Sequence, residues 1–172
     1  MSHVKAFSLF TEFDINLFKA GKHYRLYEKF GAHPAEVDGV EGIYFAVWAP
    51  SANHVYVVGE FNFWDSKDHL LNVRWDGSGI WEGFIPGLKM GVQYKYKIHS
   101  NNNGIITEKA DPYAFSCEEP PRTASVAYDI ENYNWKDKDW LSYRKDKNGL
   151  DKPYAVLEVH LGSWMYNVEE NR

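Results

Sequence analysis

Between Gly42 and Tyr128 the chain is broken at short intervals by residues that make a backbone reverse, and this rhythm restricts its fold more than any other feature. The clusters Ala49-Pro50-Ser51-Ala52-Asn53, Asp76-Gly77-Ser78-Gly79, Pro86-Gly87 through Gly91, and Asn101-Asn102-Asn103-Gly104 each place Gly, Pro or Asn where a turn needs them. The stretches between predict strands over 43–48, 54–59, 71–75, 80–85, 93–100, 104–109 and 124–128. Within one of them Tyr94, Tyr96 and Ile98 alternate with Lys95, Lys97 and His99, the pattern of an antiparallel strand with one wet face. Short strands at this spacing predict a mainly β protein, an antiparallel sandwich.

The flanks read differently. The segment Asp14-Ile15-Asn16-Leu17-Phe18-Lys19-Ala20-Gly21 predicts a two-turn helix, with Asp14 as its cap and Gly21 ending it. A helix this short does not form alone, so Phe13, Leu17 and Phe18 are expected to dock on a sheet. Residues 135–152 form a mixed-charge run ending at Pro153, a solvated linker with one helical turn expected over 140–145. After it, Ala155-Val156-Leu157-Glu158-Val159-His160-Leu161 is apolar on both faces at most positions and reads as a strand buried in a parallel sheet. A parallel partner lies a crossover of about a dozen or more residues away, and Met165 to Arg172 are too few to reach one. The expectation is an orphan strand, the first element of a truncated α/β domain, either disordered or added to a free sheet edge. The organisation expected is thus a lead-in over 1–37, a sandwich over 38–132, a charged linker over 133–153, and the start of a further domain over 154–172.

A net charge of -5 argues against nucleic acid or an anionic membrane as partner, since either calls for a basic stripe. The lone Cys117 forms no internal disulfide, the start lacks a charged region followed by a long apolar core, and no apolar run reaches the length of a membrane span. The cytoplasm is the simplest location. The histidines, His3, His23, His33, His54, His69, His99 and His160, show no pair at metal-ligand spacing, so neither a metal nor another cofactor is expected. Glu118 and Glu119 sit side by side before Pro120 and point apart, as solvated loop residues do, and Glu158 with His160 has no site around it. No catalytic residue is expected.

Aromatic residues make up 17% of the chain, more than a core of this size needs, so some must face something else. The block VWAPSANHVYVVGEFNFW, residues 47–64, runs into Gly59-Glu60-Phe61-Asn62-Phe63-Trp64-Asp65, where three aromatics crowd a polar loop. An indole plane matches the apolar face of a pyranose ring, and flanking Asn, Asp or Lys groups can bond its hydroxyls. Equally, Phe61 and Phe63 could be core, with Trp64 capping the sheet edge. Trp75 and Trp81, on either side of the 76–79 turn, carry the same two readings.

The pattern F-x-V-W-A-P-x-A-x-x-V-x-V-V-G-x-F-N-x-W-D, followed by G-I-W-E and Y-K-Y, resembles the family 48 carbohydrate-binding modules, immunoglobulin-like sandwiches found ahead of starch- and glycogen-acting enzymes. Phe30-Gly31-Ala32-His33, Asp111-Pro112-Tyr113-Ala114-Phe115, Arg122-Thr123-Ala124-Ser125 and Glu158-Val159-His160-Leu161-Gly162-Ser163-Trp164 extend the likeness to the N-terminal region of bacterial 1,4-α-glucan branching enzymes. The resemblance implies an immunoglobulin-like fold, a barrel strand at 154–164 belonging to a (β/α)8 catalytic domain that is a missing partner here, and an α-glucan such as glycogen or a maltooligosaccharide as ligand. It also implies that Trp64 stacks on a glucose and that Lys95 bonds a hydroxyl, with Asn62 and Asp65 beside the Trp; Trp81 is a further glucan-binding candidate. Where glucan-binding relatives carry a second Trp after the Y-K strand, this chain has Asn101-Asn102-Asn103-Gly104-Ile105-Ile106. The alternative is a docking domain that orients the barrel and binds little glucan itself.

Overall fold

The alternation at Tyr94 to His99 produces the strand around which one of two sheets is built. The computed structural model describes residues 4–102, 104–164 and 167–169; His3, Asn103, Met165 and Arg172, on which parts of the sequence reading fall, lie outside the described residues. In chain order the strands are β1 (Gly31–Val37), β2 (Val40–Trp48), β3 (Ala52–Gly59), β4 (Asn72–Val73), β5 (Ile80–Pro86), β6 (Gln93–Ser100), β7 (Ile106–Lys109), β8 (Ser116–Cys117) and β9 (Ser125–Val126). The first sheet has the order β1-β2-β5-β4; the second runs β3-β6-β9-β8, with β7 also paired to β6. Every pairing is antiparallel. The sandwich expected from the turn rhythm is the fold observed.

Between the sheets lies a core of Ile43, Phe45 and Val47 from β2, Val55 and Val57 from β3, Trp81 and Ile85 from β5, and Tyr94 and Tyr96 from β6. A second cluster covers the outer side of the first sheet, where Phe10, Ile15 and Phe30 of the lead-in pack on Tyr44, Ala46 and Ile80. Strand β2 is therefore buried on both faces, which is why its sequence is an almost unbroken apolar run. Two buried carboxylates hold the layers. Asp111 accepts hydrogen bonds from Tyr94 Oη at 2.6 Å, Tyr96 Oη at 3.1 Å and the Tyr113 amide at 2.8 Å. Glu82 accepts from Tyr44 Oη, from Ser8 Oγ at 2.8 Å and from Arg74.

The helix, α1 (Glu12–Lys19), starts one turn earlier than expected: Thr11 is its cap and Asp14 sits three residues in, closing a capping box. Ile15 rather than Phe13 is its buried anchor, and Phe13 is 69% exposed. Strand β1 escaped the sequence reading because Pro34 argues against a strand; it is tolerated because β1 is a sheet edge, where a missing N–H does no harm. The strands expected over 71–75 and 124–128 shrink to two residues each.

The chain divides into two compact units, Met1–Asn132 and Tyr133–Arg172. The second holds α2 (Lys138–Lys147), longer than the single turn expected. Residues 153–160 are exposed and carry no ladder, and a helical turn, α3 (Leu161–Trp164), stands where the strand was expected to end. Residues 155–161 thus form no strand. An apolar run becomes a strand only against a second one, and none of the described strands pairs with it.

Candidate functional site

The loop after β3 is shaped by its glycine and its asparagine. At Gly59 the backbone comes so close to the Gln93 carbonyl oxygen and the Phe61 ring that a Cβ would collide with both. One helical turn, Glu60–Asn62, follows. Asn62 is buried: its Oδ1 accepts from the Gly59 amide at 2.9 Å, while its Nδ2 donates to the Val57 carbonyl at 2.9 Å and lies 2.9 Å from His69 Nδ1. Its Nδ2 and Oδ1 are engaged in fastening the loop to the end of β3, so Asn62, expected to bond a ligand, lies beneath the surface as a support of the loop. The chain then leaves the turn through two consecutive left-handed residues, Phe63 at φ 55° and Trp64 at φ 59°. Such backbone costs a non-glycine residue about 1–2 kcal/mol, and strain of this kind collects at functional sites.

The turn sets Trp64 over the outer face of β6. Lys95 Nζ lies 6.0 Å from the Trp64 ring centroid, within cation–π range. The same ammonium donates to Thr123 Oγ1 at 2.9 Å. An ammonium has three N–H donors, so two remain for a ligand beside the half-buried indole. The face continues along β6 through Lys97, opposite Tyr56, to His99, opposite His54. Tyr56 and His99 rings lie 5.2 Å apart, and His99 Nε2 is buried without a hydrogen-bond partner. Phe63 is 92% exposed next to Trp64. Asp65 stands beside it but is paired with Lys67 at 2.9 Å, whose ammonium holds the Asp65 carboxyl below the usual carboxylate range.

Trp81 does not join this group. It is 6% exposed, lies in the core, and donates its Nε1–H to the Ala49 carbonyl at 3.1 Å, so the expectation that it contacts ligand is also corrected. Its position in β5 decides this, because its register opposite Val47 turns it between the sheets. Trp75, its counterpart across the turn, is 86% exposed. Trp64, Lys95 and Asp65 therefore come together, while Asn62 supports them from beneath and Trp81 is elsewhere. Thr123 and Lys97 were missed. Lys97 was legible, being in phase with Lys95 on the wet face; Thr123 was not, since only the β6–β9 pairing at Gln93 and Tyr94 brings its segment alongside.

The arrangement offers a flat aromatic surface, a partly uncommitted ammonium and hydroxyls, which suits a neutral polyhydroxylated ring. Among the described residues no group of three or more His, Cys, Asp or Glu side chains gathers as a metal site would require, and no helix is long and apolar enough to cross a membrane.

Known proteins bear on this geometry. The family model for carbohydrate-binding module 48 (isoamylase N-terminal domain) matches residues 29–114, half of the chain. The chain is 54% identical over 156 residues to the 1,4-alpha-glucan branching enzyme GlgB of Thermosynechococcus vestitus, an alignment covering 91% of this chain and 20% of that enzyme. With GlgB of Gloeobacter violaceus the identity is 51% over 163 residues, 95% of this chain and 22% of the enzyme. The chain thus spans about a fifth of the length of the curated relatives it matches. Among solved structures it is similar to PulA from Klebsiella oxytoca, with a TM-score of 0.50 and 28% identity over 66% of this chain and 11% of that one. The Klebsiella pneumoniae pullulanase complexed with maltotriose superposes at a TM-score of 0.50 with 24% identity, again over 66% and 11%, a likeness of fold alone.

Proposed function

Because the chain belongs to the carbohydrate-binding module 48 family, we propose that its sandwich holds an α-1,4-glucan on the outer face of β6, as the N-terminal module of a 1,4-α-glucan branching enzyme. The observation that carries this reading is Lys95 poised against the Trp64 ring and bonded to Thr123, an indole and an ammonium converging from separate segments. The apolar face of a glucose ring would lie on the indole, and the Lys95 donors not used by Thr123 would bond its hydroxyls. Branching breaks an α-1,4 bond and re-forms it as an α-1,6 bond. The part proposed for these residues is to keep the polymer near chemistry done elsewhere. The cytoplasm suits the lone, unpaired Cys117. Trp64 packs against Lys95 of its own sandwich, which favours ligand binding over a docking role.

Electrophoresis of the full chain through a gel containing glycogen tests this. The wild type is expected to be retarded, Trp64→Ala to lose most of that retardation, and Lys95→Ala to lose about tenfold in affinity, as expected for a hydrogen bond to a charged group. A wild type that migrates identically with and without glycogen would sink the proposal.

A further inference from the structure

We infer that Trp75 is the centre of a second glucan-binding platform, separate from Trp64 and belonging to the other sheet, which takes another segment of the same polymer. The inference rests on the glucan reading above and adds a site to it. Trp75 follows β4, at the edge of the first sheet, whereas Trp64 lies on the second. An indole left 86% exposed contributes little to packing, yet the backbone on both sides of it is held firmly. The Arg74 amide donates to the Ile80 carbonyl at 2.9 Å, and the Arg74 Nε–H to Asp76 Oδ2 at 2.8 Å. Asp76 Oδ1 accepts from the Ser78 amide at 2.9 Å, and the Asp76 carbonyl accepts from Lys19 of α1 at 2.5 Å. A large aromatic presented on a pinned turn is preorganised for a ligand, with little ordering left to do on binding.

Trp75 borders two clefts. One, of about 270 Å3, runs towards α1 and includes Ile15 and Asn16; the other, of about 400 Å3, runs towards the lead-in and includes Phe7 and Asn72. Both are near the lower end of small-molecule sites, about 300 Å3 and upward. Their chemistry selects the class of ligand. Arg74 is committed to Asp76, Glu82 and Ser8, and Glu82 is further occupied by Tyr44 and Ser8. Arg74 and Glu82 are thus matched internally and Lys19 donates to the Asp76 carbonyl, while the polar groups presented beside the indole include the exposed amides of Asn16 and Asn72 and the exposed Glu12 carboxylate. Apolar wall, indole plane, neutral amides and a carboxylate that can accept from hydroxyls fit a sugar ring. A glycogen particle offers many equivalent chain segments, so two platforms on one sandwich raise its affinity for the polymer well above that for a short oligosaccharide.

The test is a titration of the 15N-labelled full chain with maltoheptaose and with glycogen, reading the indole N–H signals; Trp75→Phe and Trp64→Phe identify two of them. The Trp75 signal is expected to shift with maltoheptaose, and to shift again in Trp64→Ala, where the first platform is gone. Trp75→Ala, a surface change that leaves the core intact, is expected to lower glycogen affinity about tenfold or more while leaving the Trp64 signal responsive. A Trp64 signal that moves while Trp75 stays fixed overturns the second platform alone; the reverse overturns the Trp64 site alone. A Trp75 signal that moves only with protein concentration overturns it too, by assigning the surface to a second copy of the chain.

Discussion

Asn62 and Trp81 show how single residues acquire their roles. Each has the chemistry to touch a sugar, and each is spent inside the protein, Asn62 on the loop's own backbone and Trp81 on the core and the Ala49 carbonyl. Asn62→Ala strands the Gly59 amide and the Val57 carbonyl and is expected to lower stability by about 1–3 kcal/mol. Trp81→Ala opens a cavity and is expected to lower it by about 3–5 kcal/mol. Trp64→Ala should cost less than either while losing most of the glycogen retardation. Urea denaturation of the three variants checks the order; a Trp81→Ala protein as stable as Trp64→Ala would contradict the core assignment. The motif around Gly59 located Asn62 and Trp64 in the sequence, and it could not say which faced outward. Trp75 and Trp81 flank one turn and look alike on paper; only the register of β5 against β2 separates them.

At the level of elements, α1 depends on Asp14. The carboxylate accepts from the Thr11 amide and hydroxyl, both at 2.8 Å, and pairs with His23 at 3.0 Å and Lys29 at 3.4 Å. Burial pushes its pKa up, but the Thr11 hydrogen bonds, His23 and Lys29 outweigh burial and hold it well below the usual carboxylate range. The unfolded chain therefore binds this proton at a higher pH than the folded one does. The stability it contributes is present above the unfolded value of about 4 and is lost as pH falls towards the folded value. Asp14→Asn should flatten this acid limb in urea midpoints measured between about pH 2 and about pH 6, and Asp14→Ala should cost about 1 kcal/mol at neutral pH. An unchanged acid limb in Asp14→Asn would remove the group from this role. Elements bounded by explicit turn residues, β6 above all, were legible to the residue. The start of α1 was not, because Thr11 and Asp14 can each cap and only the geometry chooses; nor was β1, since an edge position is a property of the sheet and not of Pro34.

Across the whole molecule, the two units differ in what holds them. The first has layered cores and buried carboxylate networks; the second has an exposed helix rich in Lys and no buried residue in α2. Limited trypsin digestion is therefore expected to cut within residues 136–152 and to leave a resistant fragment carrying the sandwich, still retarded by glycogen. Cleavage inside the sandwich at comparable rates would show that the first unit is not self-sufficient. Fold class was readable from turn rhythm and alternation because those signals are local. The apolar run at 155–161 shows the converse, because a strand is a relation between segments, and the sequence displays only one of the two.

The backbone at Phe63 and Trp64 has a further meaning. Glycine or asparagine would occupy those left-handed positions with less strain, so a more stable loop lies one or two substitutions away. Any procedure that ranks sequences by folding stability alone would take that step and erase the indole surface without disturbing the sandwich. The aromatic pair marks a point where this sequence stands uphill of its own nearest improvement, and a stabilised version of the protein should be expected to have lost its grip on sugar first.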